Sequence, residues 1–146
     1  MTVKKMNDIQ KRLSVAIGDE KIKEVKSLLE EGSDPNGIDH LGWTPLMVAA
    51  ESENIEIIKL LLAHGAEINK TDKNGQSPLH IAVDISIDCT IQSGGDQGDE
   101  PTETIMYLLE NGASLQVKDL KGKTPLDWAR EYRFEKIVNL LEAYLS

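Results

Sequence analysis

Apolar residues in this chain come in short bursts at helical spacing, separated by polar, glycine-bearing stretches. Leu46, Ala49 and Ala50 share one face of a short helix, and Ile55, Ile58, Leu61 and Leu62 share a face of the next. Leu79, Ala82 and Val83 repeat the first face; Ile105, Leu108 and Leu109 repeat the second. The pattern predicts pairs of short helices, each with one apolar stripe. The alanines allow each first helix to approach its neighbour closely.

The punctuation between bursts recurs as well. Gly42-Trp43-Thr44-Pro45-Leu46-Met47-Val48-Ala49 returns as Gly75-Gln76-Ser77-Pro78-Leu79-His80-Ile81-Ala82, 33 residues on. It returns again as Gly122-Lys123-Thr124-Pro125-Leu126-Asp127-Trp128-Ala129, 47 residues further. Gly65 and Gly112, Asn69 and Gln116, and Asp72 and Asp119 keep the longer offset, so one insertion of about 14 residues interrupts the third unit. In the other direction, Ala16, Gly32, Asn36 and Asp39 precede Ala49, Gly65, Asn69 and Asp72 by 33 residues. A fixed period of this length is the mark of a solenoid, in which each unit buries its face on its neighbours. Thr44, Ser77 and Thr124 each precede a proline, as a hydroxyl N-cap does when proline fills the first helical position. Gly32, Gly65 and Gly112 stop the second helices. The Asp-x-x-Gly stretches at Asp39 to Gly42 and Asp72 to Gly75 read as tight turns.

A 33-residue unit with Gly-x-[Thr/Ser]-Pro-Leu-x-x-Ala, then a Leu-Leu pair and Gly-Ala, resembles the ankyrin repeat family over residues 8 to 146. The resemblance implies an all-α solenoid of stacked helix-turn-helix units with short β-hairpin fingers. One domain over 1–146 is expected, with units at about 8–40, 41–73, 74–120 and 121–146 and the insertion at about 85–100. The first unit carries Lys11 and Arg12 in place of Thr-Pro, and the last carries Glu142 and Leu145 where a leucine and a glycine are due; both fit terminal caps. Trp128 reads as a core residue sealing the last repeat. His80, inside the repeat phrase, is implied to be a hydrogen-bonded structural histidine.

Charge sharpens the functional expectation. The net charge is −9, and between Lys73 and Lys118 no Lys or Arg stands against seven acids, Asp84, Asp88, Asp96, Asp99, Glu100, Glu103 and Glu110. Such a field repels phosphate backbones, which argues against nucleic-acid binding. It fits a basic protein partner, or it serves solubility alone. No apolar run is long enough for a membrane span or a leader peptide, and the single Cys89 allows no internal disulfide. A cytoplasmic monomer is expected.

Chemistry is hard to place. His40, His64 and His80 fall at three different repeat positions, without metal-ligand spacing. Ser93-Gly94-Gly95-Asp96 has the glycines of a phosphate loop but no lysine, and acids around Cys89 disfavour its thiolate. The expectation is no catalytic residue, no cofactor and no metal. A hydrolase built on the insertion acids is the remaining catalytic reading.

What remains is protein recognition. The resemblance implies a concave surface formed by the fingers and the inner faces of the first helices. By register this surface comprises His40, Leu41, Trp43, Glu51 and Ser52; Thr71, Lys73, Asn74, Gln76 and Asp84; and Leu120, Lys121, Lys123, Glu131 and Tyr132. Trp43 and Tyr132 are candidate anchors, although Trp43 equally suits packing along the next finger. Asp88, Asp96, Asp99 and Glu100 of the insertion either touch the partner or belong to a neutral insertion that can be shortened without loss of stability. The expected role is a stand-alone binder or inhibitor, with an immunity-type protein neutralising a basic toxin such as a nuclease as the alternative.

Overall fold

The computed structural model describes residues 3–39, 41–95, 98 and 100–145, with side chains from residue 8 onward. Among them are eight helices: α1 (Val3–Gly18), α2 (Ile22–Glu30), α3 (Pro45–Glu51), α4 (Ile55–Ala63), α5 (Pro78–Ser93), α6 (Glu103–Glu110), α7 (Pro125–Glu131) and α8 (Glu135–Ala143). Helices α1, α3, α5 and α7 stack side by side in chain order, and each packs against the helix that follows it.

The repeat is visible in the core as columns. Leu13, Leu46, Leu79 and Leu126 form one on the first helices, and Ala16, Ala49, Ala82 and Ala129 form another where those helices meet. Val25, Ile58, Ile105 and Val138, then Leu28, Leu61, Leu108 and Leu141, do the same on the second helices. Burying one such Leu or Ile contributes about 1.5–3 kcal/mol. The second-helix face is rotated slightly from its expected position. Ile57 is fully buried, while Ile55 and Leu62 are half-covered.

Helix ends follow the punctuation. Thr44, Ser77 and Thr124 hydroxyls accept the amides of Met47, His80 and Asp127 at 3.3, 3.3 and 3.2 Å. Each cap contributes about 1 kcal/mol, and Pro45, Pro78 and Pro125 follow at the first helical position. At the other end the amides of Ser33, Ala66 and Ala113 reach back to the carbonyls of Leu28, Leu61 and Leu108. This closure turns the chain through a left-handed residue, supplied by Gly32, Gly65 and Gly112. Between units, Asn36 donates to Gly65 O and accepts from Glu67 N, and Asn69 does the same with Gly112 O and Ser114 N.

One expectation is corrected. No strand is found among the described residues: each finger is a tight turn closed by an aspartate. Oδ1 of Asp39, Asp72 and Asp119 accepts two amides each, from Leu41 and Trp43, Asn74 and Gln76, and Lys121 and Lys123. Helix α1 starts at Val3 and runs unbroken through Lys11 and Arg12, because without Thr-Pro nothing imposes a start there.

Much of the insertion is helix. In the other units a left-handed residue, Glu20, Glu53 or Arg133, breaks the chain between first and second helix. Ser86 holds that register in the third unit and stays helical, and α5 continues to Ser93 until Gly94 ends it at φ 71°. The extension is built into the fold. Ile87 and Thr90 are buried, and the Ser86 hydroxyl donates to Pro101 O. Lys136 Nζ on α8 donates to Glu100 O at 3.1 Å.

Candidate partner-binding groove

An open groove of about 560 Å³ lies where the third finger and α5 meet the fourth finger and α7. It is lined by Asn74, Gln76, Asp84, Asp119, Leu120, Lys121, Lys123, Trp128, Glu131 and Tyr132. Eight of the residues expected from register therefore share one concave surface, joined by Asp119 and Trp128.

The groove is rigid for identifiable reasons. Leu120 N donates to Asn74 O at 3.0 Å, which ties the two finger tips together. Asp119 is buried and fully occupied, since its second oxygen accepts the Trp128 indole N–H at 3.1 Å. Burial opposes ionisation of Asp119, yet the Lys123 and Lys121 amides and the indole hold its pKa below the usual carboxylate range. Trp128 also stands edge-on to His80, with ring centroids 5.3 Å apart at 69°. His80 has no exposed surface; its Nδ1 lies 3.1 Å from Ser77 N, which can only donate, so Nε2 carries the hydrogen that reaches Lys123 O at 2.9 Å. Burial lowers the His80 pKa, against the pull of the Lys123 carbonyl, Asp119 and Asp72. The neutral tautomer thus joins the third unit to the fourth directly beneath the groove.

Across the groove mouth, Lys123 and Glu131 form an ion pair, and the bond to Glu131 raises the Lys123 pKa. Leu120 and Tyr132 present 78% and 52% of their surface to solvent and are the exposed apolar side chains that line this groove. Glu51, Asp84 and Glu131 occupy the same register at the ends of α3, midway along α5 and at the end of α7, so the concave face carries an acidic row.

The other register-derived residues are distributed differently. Leu41 is exposed at its finger tip, Glu51 is exposed at the end of α3, and Ser52 is half-buried with its hydroxyl donating to Val48 O. Trp43 is half-buried and packs against the core, so the packing alternative describes it better than that of an exposed anchor. Thr71 and Lys73 line a separate hollow with Ile38, Gly42 and Lys70. His40, Asp96 and Asp99 lie outside the described residues. Asp88 is exposed on the α5 extension, whereas Glu100 has no exposed surface and cannot serve as a solvent-facing acid.

Trp128 was legible only as core. Its register partners Val15, Val48 and Ile81 are exposed, half-covered and buried in turn, so register does not settle the exposure of this position; the Trp128 ring packs against the core and is half-covered where it lines the groove. Cys89 is exposed, and burial followed by Glu53 and Asp88 raises its pKa, which leaves a poor nucleophile. Among the described residues no group of His, Cys, Asp or Glu could hold a metal ion, and no helix is long and apolar enough to cross a membrane.

Stacked helix pairs with capped turns and a concave groove define a repeat solenoid. The family described as "Ankyrin repeats (3 copies)" matches residues 13–90, and "Ankyrin repeat" matches residues 74–120, across the insertion. The chain belongs to the ankyrin repeat family. Ankyrin repeats are generally protein–protein interaction modules and typically non-catalytic. Among curated proteins none matches the sequence.

Proposed function

We propose that this chain binds a protein partner of basic character through the groove between its third and fourth units, and that it acts by covering the partner's surface. The observation that carries this reading is the convergence of exposed Leu120 and Tyr132, half-buried Trp128 and the acidic row on a surface whose backbone is already fixed by inter-unit hydrogen bonds. A pre-organised surface loses little entropy on binding, and clustered aromatic and aliphatic groups supply the desolvated centre of an interface. Glu51 and Asp84, which have no ion pair among the described residues, favour a basic partner and accelerate its encounter. An inhibitor or an immunity-type protein that neutralises a basic toxin fits within this reading.

The test is affinity capture from the source cell with three forms of the chain. Wild type and a Glu56→Ala/Lys59→Ala control on the exposed face of α4 should retain the same partner. A Leu120→Ser/Tyr132→Ala form, folded by circular dichroism, should lose it. Equal capture by all three would place the interface elsewhere.

A further inference from the structure

We propose that the groove contains a pocket for one arginine side chain of the partner, with Asp84 as the counter-charge and Trp128 and Tyr132 as the stacking surface. This rests on the groove being the docking surface, and it specifies which side chain of the partner enters.

Three carboxylates line the groove, and two are already engaged. Asp119 accepts the Lys121 and Lys123 amides and the Trp128 indole. Glu131 is ion-paired with Lys123. Asp84 has neither a hydrogen bond nor an ion pair among the described residues. Asp84 is exposed to solvent at the groove, and the partial desolvation there, followed by the neighbouring Asp88, raises its pKa. An incoming cation would relieve both effects.

The aromatic lining selects among cations. Trp128 is held by Asp119 on its indole nitrogen and by the edge contact with His80, so its ring waits in one position. Tyr132 follows one turn later as the residue that caps α7, half exposed. A guanidinium is planar, weakly hydrated and able to stack on an aromatic ring while its N–H edge pairs with a carboxylate. An ammonium group offers a strongly hydrated point charge instead, and a neutral side chain leaves Asp84 uncompensated. Lys121 on the finger side repels a cation toward the helix side, where Asp84 stands.

The probe is Nα-acetyl-arginine methylamide, titrated into the isotope-labelled full chain beside its lysine and citrulline counterparts. Two tryptophans give two indole signals, so Trp43 is an internal control for Trp128. We expect the arginine probe to shift the Trp128 signal saturably in the millimolar range, with citrulline about tenfold weaker and lysine about threefold weaker. Asp84→Asn, with an otherwise unchanged amide spectrum, should weaken arginine binding about fivefold or more. An unmoved Trp128 signal, equal binding of citrulline, equal binding of lysine, or an unaffected Asp84→Asn protein would each overturn the arginine pocket. A captured partner that still needs Leu120 and Tyr132 but ignores Asp84→Asn would sink this inference while leaving the groove as the docking surface.

Discussion

Replacing His80 by alanine tests the joint on which the groove rests. The substitution removes the acceptor for Ser77 N, the donor to Lys123 O and the ring edge against Trp128. Each polar group left without a partner costs about 1–3 kcal/mol, and a residual void adds to this, so a loss of about 3–4 kcal/mol is expected at neutral pH. The pH dependence supplies an internal check. The folded-state pKa of His80 lies below its ordinary value of 6.5, so the unfolded chain binds more protons once the pH drops past that value. Stability from the neutral ring is therefore complete above 6.5 and is lost as the pH falls from 6.5 toward the lower folded pKa. The slope is at most about 1.4 kcal/mol per pH unit. Urea denaturation of the wild type and His80→Ala near pH 7.5 and pH 5.5 measures both quantities, provided the slope in urea stays unchanged. The gap should narrow at the lower pH. A gap below about 1 kcal/mol at neutral pH, or one that stays constant or widens on acidification, would refute a buried neutral His80 linking the two units.

Three further outcomes follow from the geometry. Gly75→Ala should cost more than Gly42→Ala in urea denaturation: both residues have positive φ, but a Cβ on Gly75 would sit 3.1 Å from Asp119 Cα while one on Gly42 meets nothing nearer than 3.8 Å. Equal losses would show that the fingers are not packed as described. Ile87→Ala should destabilise by about 2–4 kcal/mol, because Ile87 is buried on the α5 extension; a neutral result would restore the expectation of a dispensable insertion. With a basic partner, Glu51→Gln/Asp84→Asn should slow association in dilute salt, and the deficit should vanish as the Debye length falls from about 10 Å at 0.1 M to about 3 Å at 1 M. Stopped-flow rates that respond to neither the substitution nor salt would remove the electrostatic part of the proposal.

Much of the fold could be read from residues whose type is dictated by backbone geometry. Thr-Pro and Ser-Pro mark helix starts, glycine marks the left-handed closures, and Asp-x-x-Gly marks the fingers, so period and phase were legible together. The left-handed residues between first and second helices were not, because Glu20, Glu53 and Arg133 carry no compositional sign of positive φ. For the same reason the helical insertion was only half legible. Nothing in Ser86 distinguishes it from a turn residue, and what keeps it helical is the burial of Ile87 and Thr90, which is decided by neighbours distant in sequence. Register named eight of the residues that line the groove. It could not separate Leu120 and Tyr132, which the structure exposes, from Trp43, which packs against the core. Glu100 shows the opposite limit: composition makes it part of an acidic loop, while the chain path folds it fully inside.

The groove as the docking surface is tested most directly by hydrogen exchange of the chain, free and bound to the partner it captures. Slower exchange is expected in the fourth finger, from Asp119 to Lys123, and along α7 from Pro125 to Tyr132. Slower exchange confined to α4 and α6, with the finger and α7 unchanged, would contradict it.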